Sequence, residues 1–191
     1  MKRLALFTGI LALAAPLALA QTSTWTSDPN HSEVDFGITH MTVSNIHGRF
    51  GNVAATIVLN DADITKSTVN ATIDIGTVDT GVEPRNTHLK TPDFFDAVSF
   101  PKATFASTSV AKSGSGLKVT GNLTLHGVTK PVVLDIEGPT GPVPGMDHKP
   151  HAGFSGSTTI SRTAFGIGAK FPAAMVGDDV KLTIEVEAVK Q

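Results

Sequence analysis

Alternation of apolar and polar residues, sustained from one end of the chain to the other, constrains this sequence more than any other feature. In "VKLTIEVEAV" the row Val180, Leu182, Ile184, Val186 and Ala188 faces one way, and Lys181, Thr183, Glu185 and Glu187 face the other. "SEVDFGIT" does the same with Val34, Phe36 and Ile38, and "TVNATIDI" with Val69, Ala71, Ile73 and Ile75. "GLKVTGNLTL" aligns Leu117, Val119, Leu123 and Leu125, with Gly121 as the break in the row. A period of two is the signature of a strand with one face against a core. Shorter strand candidates are 53–59, 103–107, 132–137 and 153–161, which makes about eight strands in all. Turn signals at Asn60-Asp61-Ala62-Asp63, Ser113-Gly114-Ser115-Gly116 and His126-Gly127 separate them. Eight such strands fit a sheet curled on itself, with no free edge and room for a filled core or one small ligand. On the residues alone a two-sheet sandwich fits almost as well.

The first twenty residues stand apart. "MKRLALFTGILALAAPLALA" has Lys2 and Arg3, an apolar run and the ending Ala18-Leu19-Ala20, the layout of a secretory signal peptide with its cleavage site. The run is short for a membrane span, and Pro16 interrupts it. The expected organisation is therefore a signal peptide over 1–20 and one domain over 21–191. Without Lys2 and Arg3 the 15 basic residues fall to 13 against 17 acidic ones, a charge of −4. No basic block remains for a nucleic acid. The chain has no cysteine, so disulfides and thiolate chemistry are excluded and an exported domain must rest on its core. An outer-membrane barrel would carry aromatic girdles. This chain has one Trp, no Tyr and acidic residues on several outward faces, which argues for a soluble barrel with no stable membrane span.

Two segments break the strand rhythm. "GPTGPVPGMDHKP" (138–150) is rich in Pro and Gly and reads as an irregular surface loop. "RNTHLKTPDFFD" (85–96) lies between Pro84, suited to the first turn of a helix, and Pro92, suited to ending it, so a short helical segment is expected near residues 84–91.

Four blocks occur in order along the chain: "DPNHSEVDFGITHMTVSNIHGRFG", "RNTHLKTPDFFDAVSFPKATF", "GNLTLHGVTKPVVL" and "ISRTAFGIG" followed by "VGDDVKLTIEVEA". Together they resemble the YceI-like family of exported, lipocalin-like proteins that bind polyisoprenoid lipids. The resemblance implies an all-β fold, an extended antiparallel eight-stranded barrel. It also implies a hydrophobic interior for a long-chain isoprenoid, quinone-like or fatty-acid-like lipid, and a periplasmic location. It implies binding, transport or sequestration rather than an enzyme, with no cofactor. Self-association as a homodimer is left open.

The residues themselves suggest how such a ligand would be held. Nine of the ten phenylalanines lie beyond residue 20. Phe36, Phe50, Phe94, Phe95, Phe105, Phe154 and Phe165, with Ile38 and Leu89, are the candidate lining for an apolar tail. A buried chain gains about 0.8 kcal/mol per methylene without any directed bond. Phenylalanine on a strand face is also ordinary core. Arg85 and His88 share a helix face at i, i+3 and form the candidate head-group cluster, with Lys90 nearby. The alternative for Arg85 is a structural pairing with Glu83, Asp93 or Asp96. Arg162 is a second candidate, at the mouth or as a brace of the barrel, and His40 is expected near the mouth. His148 and His151 show no recognised metal-site spacing, and "GFSGS" lacks the nucleophile-elbow pattern, so no metal and no catalytic residue is expected. The runner-up functions are a hydrolase or isomerase acting on such lipids in the same cavity, or a ligand-free interaction module with a solid core.

Overall fold

The computed structural model describes residues 21–191, so the expected signal peptide lies outside the described residues. Nine strands wind up and down in sequence order. They are β1 (Thr22–His40), β2 (Ser44–Phe50), β3 (Ala54–Asn60), β4 (Thr68–Asp74), β5 (Lys102–Ser113), β6 (Gly116–Leu125), β7 (Val128–Pro144), β8 (Pro150–Ser161) and β9 (Val176–Lys190). β2 and β3 share one edge of β1: β2 pairs with Val34–His40 and β3 with Thr22–Thr26. β9 pairs along the other edge of β1, from Trp25↔Lys190 to His40↔Val176. The nine segments therefore occupy eight positions of a closed antiparallel barrel, and the sandwich alternative is set aside.

The alternating rows point as the sequence indicates, apolar inward. The outward row carries Glu33, Asp35, Lys118, Lys181 and Glu185, the reverse of a lipid-facing barrel. β1 is longer than its alternation suggests because it changes parity midway. Ser23 and Trp25 are buried in its first part, and Ser32, Val34 and Phe36 in its second. The switch is a bulge between Ser27 and Ser32, where five residues of β1 span only two of β9. Two glycines let inner side chains lie flat on the wall. The Phe36 ring covers Gly48 and the Phe105 ring covers Gly121, where any Cβ would collide with them.

The segment 138–150 is not an irregular loop. β7 and β8 run through most of it as a hairpin arm, pairing Thr140↔Gly153, Val143↔His151 and Pro144↔Pro150. Register shifts on either side of Thr140 absorb the Pro-Gly steps. β6 pairs with β7 only as far as Ile136, so beyond it β7 has a free edge. Pro139, Pro142 and Pro144 remove N–H donors from that free stretch, a protection against edge-to-edge pairing.

One end of the barrel is sealed. Trp25, Ile57, Leu59, Ala152 and Ala188 pack there, joined by Ile64 from the turn that links β3 and β4. The Trp25 indole donates to Ser23 Oγ at 2.9 Å, and Ser23 Oγ donates to Asp61 at 3.2 Å. The short helix α1 (Glu83–Leu89) lies between β4 and β5, at the opposite end. It begins one residue before Pro84 and ends ahead of Pro92, as the two prolines suggest.

Two imidazoles form carboxylate pairs in the sealed half of the barrel, one within β1 and one joining β8 to β9 and to the β7–β8 turn. His31 Nδ1 lies 2.9 Å from Asp28. His151 sits between Glu187, 2.6 Å away, and Asp147, 3.0 Å away. The hydrogen bond from Asp28 raises His31 above the usual histidine range, and those from Glu187 and Asp147 raise His151. His31 chiefly holds Asp28 below the usual carboxylate range, and the Lys149 amide followed by His151 does so for Asp147. The raised imidazoles contribute stability that is complete below about pH 6.5 and fades as pH rises through their folded values. The lowered carboxylates contribute above about pH 4 and fade as pH falls through theirs. Melting temperature is therefore expected to peak between these limits, and joint replacement His31→Gln/His151→Gln should flatten its decline on the alkaline side. An alkaline limb of unchanged slope, measured by thermal melts across pH, would refute this assignment.

Candidate functional site

Because the inner rows of eight strands do not meet at the axis, the barrel is hollow. An upper chamber of about 340 Å³ opens towards α1. A lower chamber of about 160 Å³ lies between it and the sealed end. Val34, Ile73, Leu123 and Leu182 belong to the walls of both, so the two chambers are neighbours inside the barrel with these four side chains at their junction.

The expected site residues are distributed as follows. Phe36, Ile38, His40, Phe50, Arg85, His88, Leu89, Phe94, Phe95 and Arg162 all line the upper chamber. Phe105 and Phe154 line the lower one. Phe165 lines neither. It is 2% exposed and packed into the solid core beside the chamber, and its carbonyl lies 3.1 Å from His126 Nδ1. Lining expected of Phe165 is thus corrected to plain packing; it follows Arg162 on a single 3-10 turn rather than a strand face.

Thr80, Phe171 and Met175 complete the upper wall; the sequence offers Phe171 only as one of nine phenylalanines beyond residue 20 and gives no signal for Thr80 or Met175. Thr80 and Phe171 come from loops, where no periodicity indicates direction. Val180 and Leu182, by contrast, were legible from the inward row of β9.

Two loops close over the mouth. The Phe94 ring stacks on Phe171, centroids 4.9 Å apart and 10° from parallel. His88 meets Phe94 edge-on at 5.1 Å and Phe171 at 6.1 Å. Asp93 pairs with both His88 and Lys170, and these two bonds, Lys170 first, hold its carboxyl below the usual range. Below this clasp, Phe95 meets Phe50 edge-on at 5.4 Å, and Phe50 lies 5.5 Å from Phe36. The aromatic pair of "PDFFD" is therefore divided: Phe94 joins the two lids and Phe95 roofs the chamber.

The two arginines have different employment. Arg162 is 3% exposed, and each of its five N–H groups donates to a backbone carbonyl. Nε reaches Gly177 at 2.9 Å; Nη1 reaches Ile167 at 2.9 Å and Gly168 at 2.6 Å; Nη2 reaches Phe171 and Val176, both at 2.7 Å. It braces the loop that carries Phe171 and Met175, and has no donor left for a ligand. Arg85 spends only two donors, Nε on Thr80 Oγ1 and Nη2 on Thr80 O, both at 2.8 Å. No carboxylate lies in ion-pair range of it among the described residues, so the pairing with Glu83, Asp93 or Asp96 is not formed.

A closed antiparallel barrel that is sealed at one end, hollow and apolar along its axis and lidded at the other belongs to the calyx-like barrels. Residues 25–188 match the YceI-like domain. Protein YceI of Salmonella newport is 37% identical over 165 residues, which cover 84% of this chain and 83% of that protein. The chain belongs to the YceI-like family. The crystal structure of the Campylobacter jejuni YceI protein superposes with a TM-score of 0.71 at 35% identity, covering 81% of this chain and 90% of that one. A domain of Saccharophagus degradans described as polyisoprenoid-binding shares the fold, with a TM-score of 0.63 at 15% identity over 87% of this chain and 98% of its own.

Arg162→Gln should be among the most damaging single changes outside the barrel wall. It leaves several buried carbonyls without donors, each worth about 1–3 kcal/mol, so a loss of roughly 3 kcal/mol or more is expected in urea unfolding. Arg162→Lys should also destabilise, since an ammonium cannot reproduce the planar five-donor fork. A loss below about 1 kcal/mol for Arg162→Gln would contradict the bracing role.

Proposed function

We propose that this protein binds one long-chain amphiphile, a polyisoprenoid or a lipid of similar shape, and carries or sequesters it in the periplasm after export. The observation that carries this reading is the pair of adjacent apolar chambers inside the barrel, which together would take a continuous tail. Their walls are hydrophobic from the clasp at Phe94 and Phe171 down to Phe154 near the sealed end. The tail enters by partition: at about 0.8 kcal/mol per methylene, ten buried methylenes supply roughly 8 kcal/mol before the costs of association. The likeness in fold to a domain described as polyisoprenoid-binding agrees with this reading.

The polar groups on the upper wall favour binding over turnover. They are two arginines, two histidines and two threonines, with no carboxylate and no serine among them. His88, the histidine nearest the clasp, is paired with Asp93 rather than with any nucleophile. Residues 21–191 form the working domain in this reading, with 1–20 directing export.

Solvent extraction of the purified protein followed by mass spectrometry should release a lipid in stoichiometric amount. Leu182→Trp, which fills the junction of the two chambers, should abolish the co-purified lipid while costing about 1–3 kcal/mol of stability, typical of overpacking. Extracts free of lipid from protein that also fails to take up added geranylgeraniol would sink the reading. Turnover of an added isoprenoid pyrophosphate would replace carriage with catalysis.

A further inference from the structure

We propose that the channel selects amphiphiles with an anionic head, a carboxylate or a phosphate, received by Arg85, and that Thr80 and Asn86 are the positioning residues that aim it. The proposal rests on the lipid-carrying reading above and names the chemistry of the ligand's polar end.

The charge inventory of the upper chamber is one-sided. Its wall includes Arg85, Arg162, His40 and His88, and no Asp or Glu. Arg162 cannot serve a ligand, because its five donors are committed to carbonyls of its own loop. Arg85 can. The edge of its guanidinium formed by Nε and Nη2 is held by Thr80, which leaves the opposite pair, Nη1 and the second N–H of Nη2, without a protein acceptor among the described residues. That end-on pair is the fork that grips two oxygens of a carboxylate or phosphate at once. The carboxylates that would normally neutralise such an arginine are engaged elsewhere: Asp93 with His88 and Lys170, and Asp79 with the Gly81 amide and Asn86. A half-buried cation beside an apolar chamber, with its neighbours already paired, can receive one anion.

The aim of that fork is set by a short relay. Asn86 follows Arg85 on α1 and is buried, 6% exposed. Its Oδ1 accepts from the Thr80 amide at 2.8 Å and from the Thr80 hydroxyl at 2.7 Å. The hydroxyl proton is thereby committed to Asn86, and the oxygen is left to accept from Arg85 Nε–H. Asn86 Nδ2 in turn donates to Asp79 at 3.0 Å, and Asp79 also caps the turn at Gly81. Every direction of donation in this chain is fixed, so the guanidinium has one orientation rather than a fan of rotamers. Binding to a pre-aimed arginine costs the ligand less ordering entropy.

The test uses three probes with the same tail: hexadecanoate, hexadecyl phosphate and the neutral hexadecanol, titrated into delipidated protein. The wild type should bind at least one anion about tenfold or more tightly than the alcohol, the scale expected for charge-assisted hydrogen bonds, and the tighter anion names the head class. Arg85→Gln should collapse the anion-to-alcohol affinity ratio towards one. Thr80→Val should lower that ratio several-fold, and Thr80→Ser, which keeps the hydroxyl, should restore it; loss of fold alone would not move the ratio in this pattern. Equal affinity for all three probes overturns the head-group assignment while leaving tail binding intact. No binding of any probe overturns both this proposal and the carriage reading beneath it.

Discussion

Closure of the hydrogen-bond ladder between β1 and β9 is what allows this barrel to be hollow. In an open sheet the apolar face needs another layer to cover it, and the edges need partners. Here the ladder runs round the whole barrel, with free edges only at β2 and the β7 arm, and the inner faces cover one another, so the wall does not depend on a filled axis. β1 carries the arrangement because it runs from the sealed end to the mouth and pairs with three strands, β2, β3 and β9. Its bulge at 27–32 turns Trp25 into the plug and Phe36 into the channel wall on the same strand.

The mouth solves a different problem. Loops that overhang an apolar opening cannot borrow stability from the ladder. One of them is held by a buried guanidinium whose fork reaches five carbonyls, the other by the Asn86–Thr80–Asp79 network. The two meet at the Phe94–Phe171 stack. Two arginines of the same wall thus do opposite work. The one with no spare donor is architecture, and the one with an unspent fork is the proposed receiver of an anionic head.

What the sequence disclosed follows from where periodicity operates. The inward rows of β1, β4, β6 and β9 were legible because alternation fixes direction residue by residue. Gly121 was legible as an interruption, though not as the seat of the Phe105 ring. The short helix was legible from its two prolines. β2 was missed because "SNIHGRF" offers only Ile46 and Phe50 as inward hydrophobics, the position between them being the glycine under Phe36. The arm at 138–150 was misread because Pro-Gly steps signal a loop, whereas here two register shifts let the strands continue around them. Phe165 shows the limit of residue type: six other phenylalanines proposed as lining do face the channel, and this one is core because it sits on a turn. The two arginines were both named, but only the folded loops reveal which has donors to spare.

The central claim is that the two chambers act as one apolar channel that takes a continuous tail. Titration with a series of straight-chain alcohols of increasing length tests it most directly. The account predicts affinity rising by about fourfold for each added methylene, the equivalent of about 0.8 kcal/mol, until the chain fills both chambers and the gain stops. Affinity that does not depend on chain length, or that stops rising once the upper chamber alone is filled, would contradict it.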